Sequence, residues 1–261
     1  YSFIVDRAVS EYTEKSIWQM SYINYDLFKD YPAARIDFVK LIKFSESKEN
    51  RYKAIVGIMR CDRFTKNYDS VLVSSQRVQS LENIDKKIAI EAQMYQARVY
   101  MLNNRHDDAH RAFTRISAAT STIESAEAQY NLALIAFKKE QYDSAEAIAY
   151  GVIQQDPSYE YWVVKAFVLS ADIFIKTDNL HQAKATLTSI VDNYKGDQLL
   201  LQEAKDKLAL VNQLSVKKTI KEDSPEMIID LGNDNKLFID NGNEGDPDIE
   251  NEFEEENVQS F

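Results

Sequence analysis

One cysteine, Cys61, stands in the 261 residues, so neither a disulfide framework nor a thiolate zinc site forms within the chain. A lone free thiol reads as a buried structural residue. Glycine and proline are also scarce, six and four respectively. With 44% hydrophobic and 28% charged residues, that scarcity excludes a Pro/Gly-rich low-complexity chain and favours an all-helical globular protein. No stretch of 18 apolar residues and no signal-type leader is present. The chain opens at Tyr1 rather than Met, which reads as a fragment or processed product and leaves the compartment open.

Chemistry-bearing motifs are missing as well. There is no glycine-rich phosphate loop, no G-x-S-x-G elbow and no Cys/His dyad at a recognisable spacing. Catalysis is therefore not supported, and no cofactor site is expected. His106 and His110 lie four apart with Asp107 beside them, a spacing that shares one helix face. A metal would need further ligands, and His181 belongs to another segment, so a solvated helix end is the reading. Asp240 to Glu244 has the composition of a calcium loop, but its Gly and Glu miss the EF-hand offsets.

Charge is abundant but unevenly placed. Residues 221–261 hold 14 Asp/Glu against two Lys, while residues 1–220 hold 29 Lys/Arg against 28 Asp/Glu. The body is neutral and the acid is in the tail. This is the pattern of an acidic interaction tail and argues against nucleic acid as the partner.

What the sequence has in quantity is helical periodicity. In residues 126–159, Tyr130, Leu132, Ala133, Ile135, Ala136 and Phe137 recur at helical spacing, followed after a short turn by Ala145, Ile148, Ala149, Val152 and Ile153. Two helices in 34 residues form one antiparallel pair, which buries a single face and needs similar neighbours. The small residue Ala145 recurs as Ala34, Val71, Ala109 and Ala183, at spacings of 37, 38, 36 and 38. Five pairs follow: about 12–45, with Trp18, Tyr22 and Tyr25 in its first helix; 50–82; 85–118; 126–159; and 158–193, with Ser158 as N-cap. Ala97, Ala133 and Ala171 occupy the close-approach position of the last three first helices, and Met59 takes that place in the second pair. Gly196 reads as a left-handed C' residue and Asp197 as the N-cap of a closing helix over 198–216.

The domain reading is thus a remnant of an upstream element at 1–10, a helical-repeat body at 11–217, and an acidic, irregular tail at 218–261. The tail carries apolar anchors at Met227, Ile228, Ile229, Leu237, Phe238, Ile239 and Phe253. It is either solvated chain or a set of extended segments that dock on a groove, in cis or on a partner subunit.

Through Tyr130, Leu132, Ala133, Tyr142, Ala145 and Pro157, the segment 126–159 resembles the tetratricopeptide (TPR) repeat, and the likeness fades toward the N-terminus over residues 12–193. The resemblance implies a right-handed all-α TPR solenoid of about five helix pairs with a closing helix. The stretches 48–51, 57–61, 125–128 and 161–174 resemble the C-terminal part of long exported multi-repeat TPR proteins of Bacteroidota. That likeness implies a periplasmic or cell-envelope location and further repeats upstream.

In the TPR frame the first helix of each pair faces the groove. The candidate groove residues are Lys53, Arg60, Arg63, Phe64, Arg98, Met101, Tyr130, Phe137, Lys138, Lys165 and Lys176. Gln19, Ile23, Val56, Glu91, Met94, Leu102, Glu127, Leu134, Val168, Asp172 and Ile175 complete the set. Seven of these are basic and three acidic, which suits an extended acidic peptide held by Arg and Lys. The function expected is a non-catalytic protein-binding scaffold or accessory subunit of an envelope assembly, with protein partners and only indirect membrane contact. The alternative is a glycan-binding accessory protein using Tyr159, Tyr161 and Trp162.

Overall fold

A computed structural model describes residues 12–223, with side chains to residue 219. Its elements are α1 (Thr13–Tyr22), continued by a π-helical segment (Ile23–Leu27), α2 (Tyr31–Phe44), α3 (Lys48–Phe64), α4 (Tyr68–Gln79), α5 (Lys86–Leu102) and α6 (His106–Ala119). They are followed by α7 (Ile123–Lys138), α8 (Tyr142–Ile153), α9 (Glu160–Lys176), α10 (Leu180–Asn193) and α11 (Gln198–Asp223). No strand occurs among the described residues, and none of these helices is long and apolar enough to cross a membrane. The architecture is the expected all-α, TPR-like repeat of helix pairs with a closing helix. The closing helix runs past Val216 to Asp223, so the first residues assigned to the irregular tail are helical.

The described chain divides into two compact units, at 12–128 and 129–223, with the boundary inside α7. In the first, helices α1 to α6 pack in succession, and α3 also touches α5. In the second, α8, α9, α10 and α11 pack in succession, and α9 touches α11.

The period is written into the backbone. Between the two helices of each pair stands one non-glycine residue with positive φ: Lys29, Lys66, Asn104, Glu140 and Asp178, all between 54° and 59°. Their spacings repeat those of the Ala34 series. After Lys66, Asn104, Glu140 and Asp178 the next amide reaches back to the carbonyl five residues earlier, as in Asn67 N–H to Asp62 and Gln141 N–H to Ala136. This is the Schellman closure of a helix end. The same next residue is the N-cap of the second helix. Asp30, Asn67 and Asn179 accept amides from Ala33, Ser70 and Gln182 through their side chains.

The first pair departs from this in one place. Asp30 N–H reaches Asn24, six residues back, and Phe28 N–H reaches Ile23, because the π segment inserts one residue into the helix. Upstream of the insertion the register shifts by one. Ser21 is fully buried and returns its hydroxyl to the Ile17 carbonyl, whereas Tyr22 is 53% exposed. Gln19 and Ile23, placed by unbroken spacing, are likewise one residue out of step with the later repeats.

Small residues set the helix separations. Ala34, Ala97, Ala109, Ala133, Ala145, Ala171 and Ala183 are all fully buried. In the second pair Met59 and Val71 fill the same space within one cluster that includes Ile55, Val78 and Tyr95. Gly57 is required by a neighbour: a Cβ there would stand 2.6 Å from the ring of Phe38 on α2.

Two cap assignments differ from expectation. Gly196 does not take a positive φ. Its missing side chain makes room for the Tyr194 ring, 2.6 Å from where a Cβ would lie, and the Tyr194 hydroxyl accepts the Asp197 amide. Asp197 then caps α11 through Leu200 N–H at 2.8 Å. The N-cap of α9 is Tyr159 rather than Ser158, and it makes no side-chain cap bond. Ser158 stands one residue too early for its hydroxyl to serve as the cap.

Two substitutions check this packing by thermal melts. Gly57→Ala should destabilise by about 1–3 kcal/mol through overpacking, and Phe38→Leu in the same chain should recover part of the loss. Ala133→Leu should lower the melting temperature by a comparable amount; an unchanged transition would contradict the close-approach position.

Candidate functional site

The groove candidates come from the first helices of the pairs, α3 and α5 in the first unit and the second half of α7 with α9 in the second. They are not uniformly available. Val56, Met94, Leu134 and Val168, expected as apolar footholds, are between 2% and 9% exposed and belong to the packed core. First helices lie directly against the next first helix, α3 on α5 and α9 on α11, so side chains at those positions are covered. Lys53, Phe64, Lys138 and Lys176 are exposed, while Arg60, Arg63, Arg98, Met101, Phe137 and Lys165 are half-buried.

The two central arginines are committed to the fold. Arg60 donates from Nε and Nη2 to both oxygens of Glu91, at 2.9 and 2.7 Å, and Tyr95 donates to the same carboxylate at 2.7 Å. Arg98 grips Glu127 in the same way, with both bonds at 2.6 Å. These bidentate forks join equivalent positions: six residues before the left-handed turn in one repeat, thirteen before it in the next. In the closing junction the signs are exchanged, with Asp172 paired to Lys207 at 2.9 Å. Lys207 lies outside the expected set because α11 has no partner helix to place it by repeat spacing.

Titration follows the geometry. Burial raises the Glu91 carboxyl, but the Arg60 and Tyr95 hydrogen bonds outweigh it and hold the group below its ordinary value. Burial, with Asp62 beside it, pushes the Cys61 thiol up to about 12, so this thiol is inert. Burial lifts the Tyr25 hydroxyl to about 12. Tyr25 belongs to an aromatic group in which Tyr31 and Phe64 stack at 4.2 Å and Arg63 lies 4.8 Å from the Phe64 ring and 5.3 Å from Tyr95.

The second unit has a different centre. Where the rung formula would pair position 134 with position 165, the residues are Leu134 and Lys165, and no ion pair forms. The Lys165 ammonium instead stands 5.4 Å from the Tyr130 ring and 5.7 Å from Tyr161. Trp162 packs against Tyr130 at 5.5 Å and edge-on to Tyr161 at 5.0 Å. Tyr130 is 9% exposed, and burial raises its hydroxyl well above the usual range. The aromatics are thus engaged with each other, and among the described residues the cation at their edge forms no ion pair, although Glu203 and Asp172 are near enough to act on Tyr130. Lys53 has a parallel place over Trp18 at 5.6 Å, but it also pairs with Glu49 at 2.6 Å.

Among the described residues, no group of three or more His, Cys, Asp or Glu is placed to hold a metal ion. The tail anchors Met227, Ile228, Ile229, Leu237, Phe238, Ile239 and Phe253 lie outside the described residues, as does the segment 1–10.

The rungs carry a pH prediction. Glu91 has a folded-state pKa below its unfolded value, so its contribution is present above the ordinary carboxylate range and is lost as pH falls through the folded pKa. Glu91→Gln should be less stable than the parent at pH 7, and the gap should be narrower in melts at pH 3. A gap that is the same at both pH values would show that the pair contributes no charge-dependent stability.

No protein-family model and no curated protein matches the sequence. Among solved structures, the crystal structure of BtubC (BKLC) from P. vanneervenii is similar at 13% identity and a TM-score of 0.48, over 88% of this chain and 97% of that one. The P58(IPK) TPR domain is similar at 12% identity and a TM-score of 0.38, over 83% and 73%.

Proposed function

We propose that the chain is a non-catalytic protein-binding module, and that the α7–α9 face around Lys165 receives an acidic segment of its partner. The observation that carries this reading is the Lys165 ammonium, which forms no ion pair among the described residues. It is half-buried on an aromatic platform of Tyr130, Tyr161 and Trp162, while Arg60 and Arg98 are held by carboxylates. A carboxylate arriving there gains a charge-assisted bond without breaking an internal ion pair. Phe137 and the exposed Lys138 and Lys176 extend the face and suit an extended peptide that alternates acidic and apolar side chains.

The chain's own residues 221–261 have that composition and are a fitting occupant, either in cis or on a second copy. Placement in an envelope assembly draws on the resemblance to exported Bacteroidota repeat proteins, and fractionation of the native host with an antibody to this chain tests it.

A fluorescent peptide of residues 221–261, titrated into a chain ending at residue 220, tests the face itself. Binding should weaken with salt, and Lys165→Glu should lower affinity at least tenfold, since a charge-assisted bond is worth about 1.5–3 kcal/mol. The same affinity in both chains would remove Lys165 from the site; absence of binding would leave the acidic segment to a different protein, sought by affinity purification from the host.

A further inference from the structure

A cleft of about 310 Å³ opens in the first unit between α2 and α4, with α3 as its floor. That volume is at the low end of the ~300–1,000 Å³ range of small-molecule sites. The floor carries Asp62, which is 1% exposed. Its Oδ1 accepts from Arg35 Nε at 2.5 Å, but Oδ2 has no hydrogen-bond partner. A buried carboxylate oxygen left without a donor costs stability.

The repeat does not ask for an acid there. Asp62 stands four residues before the left-handed turn, and the same position elsewhere holds Tyr25, Tyr100, Ala136 and Phe174. Asp62 is buried while Arg35 reaches it from a partly exposed side chain, and packing alone does not require a charge at that buried position. The position is served by uncharged, mostly aromatic side chains in the other four repeats.

The cleft's remaining groups are complementary to a ligand with both charges. Arg77 and Asp69 line it and are exposed. Arg35, its side chain 41% exposed, forms the wall beside Asp62 and leaves Oδ2 of that carboxylate without a donor. Val39 and Val73, 46% and 69% exposed, flank the mouth over Ile55 and Ile58. With Asp62 matched by Arg35 and Asp69 by Arg77, the lining is neutral in sum. A bare cation or anion would therefore enter uncompensated. A neutral molecule carrying an ammonium and a carboxylate gains at both ends.

We propose that this cleft binds a small zwitterion of the α-amino-acid class, its ammonium donating to Asp62 Oδ2, its carboxylate meeting Arg77, and its side chain resting on Val39 and Val73. The site is on helices separate from the Lys165 face and does not depend on it.

Calorimetric titration of the whole chain with L-leucine, L-leucinamide and N-acetyl-L-leucine tests the assignment, with glycine, lysine and glutamate as further free amino acids. Saturable binding of at least one free amino acid is expected, and its amide and its N-acetyl form should bind at least tenfold more weakly. Arg77→Gln, at an exposed position, should reduce the free amino acid to the level of its amide and leave the amide unchanged. Asp62→Asn should abolish binding, with thermal melts reporting whether the fold is kept. Absence of binding by all four amino acids, equal binding of acid and amide, or an Arg77→Gln variant that binds like the parent would overturn the proposal.

Discussion

Everything in this fold is hung on one backbone constraint, the left-handed residue that ends the first helix of each pair. Holding Lys29, Lys66, Asn104, Glu140 and Asp178 at positive φ costs on the order of 1–3 kcal/mol each. None is a glycine. The surroundings offset that cost by closing the helix end and, after Lys29, Lys66 and Asp178, by a side-chain cap on the next helix in the same step. Once the turn is fixed, so is the distance from it to every other functional position. The close-approach alanines lie seven before it, the rung residues six and thirteen before it, and Asp62 four before it.

That rigidity explains how much was legible. The spacing of the Ala34 series equals the spacing of the left-handed turns, so the helix pairs and buried alanines could be placed from residue pattern alone. The rungs are not legible within a single repeat, where Glu91 and Glu127 read as groove acids; they emerge only against Arg60 and Arg98 one repeat upstream. The signal was present in the repeat register and needed only a cross-repeat comparison.

Other features could not be read from pattern. The π insertion in the first pair adds a residue without disturbing the 37-residue spacing, since the spacing is counted from turn to turn. Only burial shows that Ser21, not Tyr22, meets the second helix. Gly196 invited a conformational explanation and proved to be a steric one, set by where the Tyr194 ring lies. The Asp62 cleft depends on a cavity and on one oxygen's partners, neither of which has a sequence signature.

The arginine–glutamate rungs have a further consequence for the order of the repeats. Removing residues 67–104 would bring Arg60 to the place opposite Glu127, a pairing of the same sign pattern as the native one. Removing residues 105–140 would set Arg98 opposite Lys165, two cations across one junction. Repeats that look interchangeable by their alanines are therefore distinguished at their edges, and each junction accepts some neighbours and repels others.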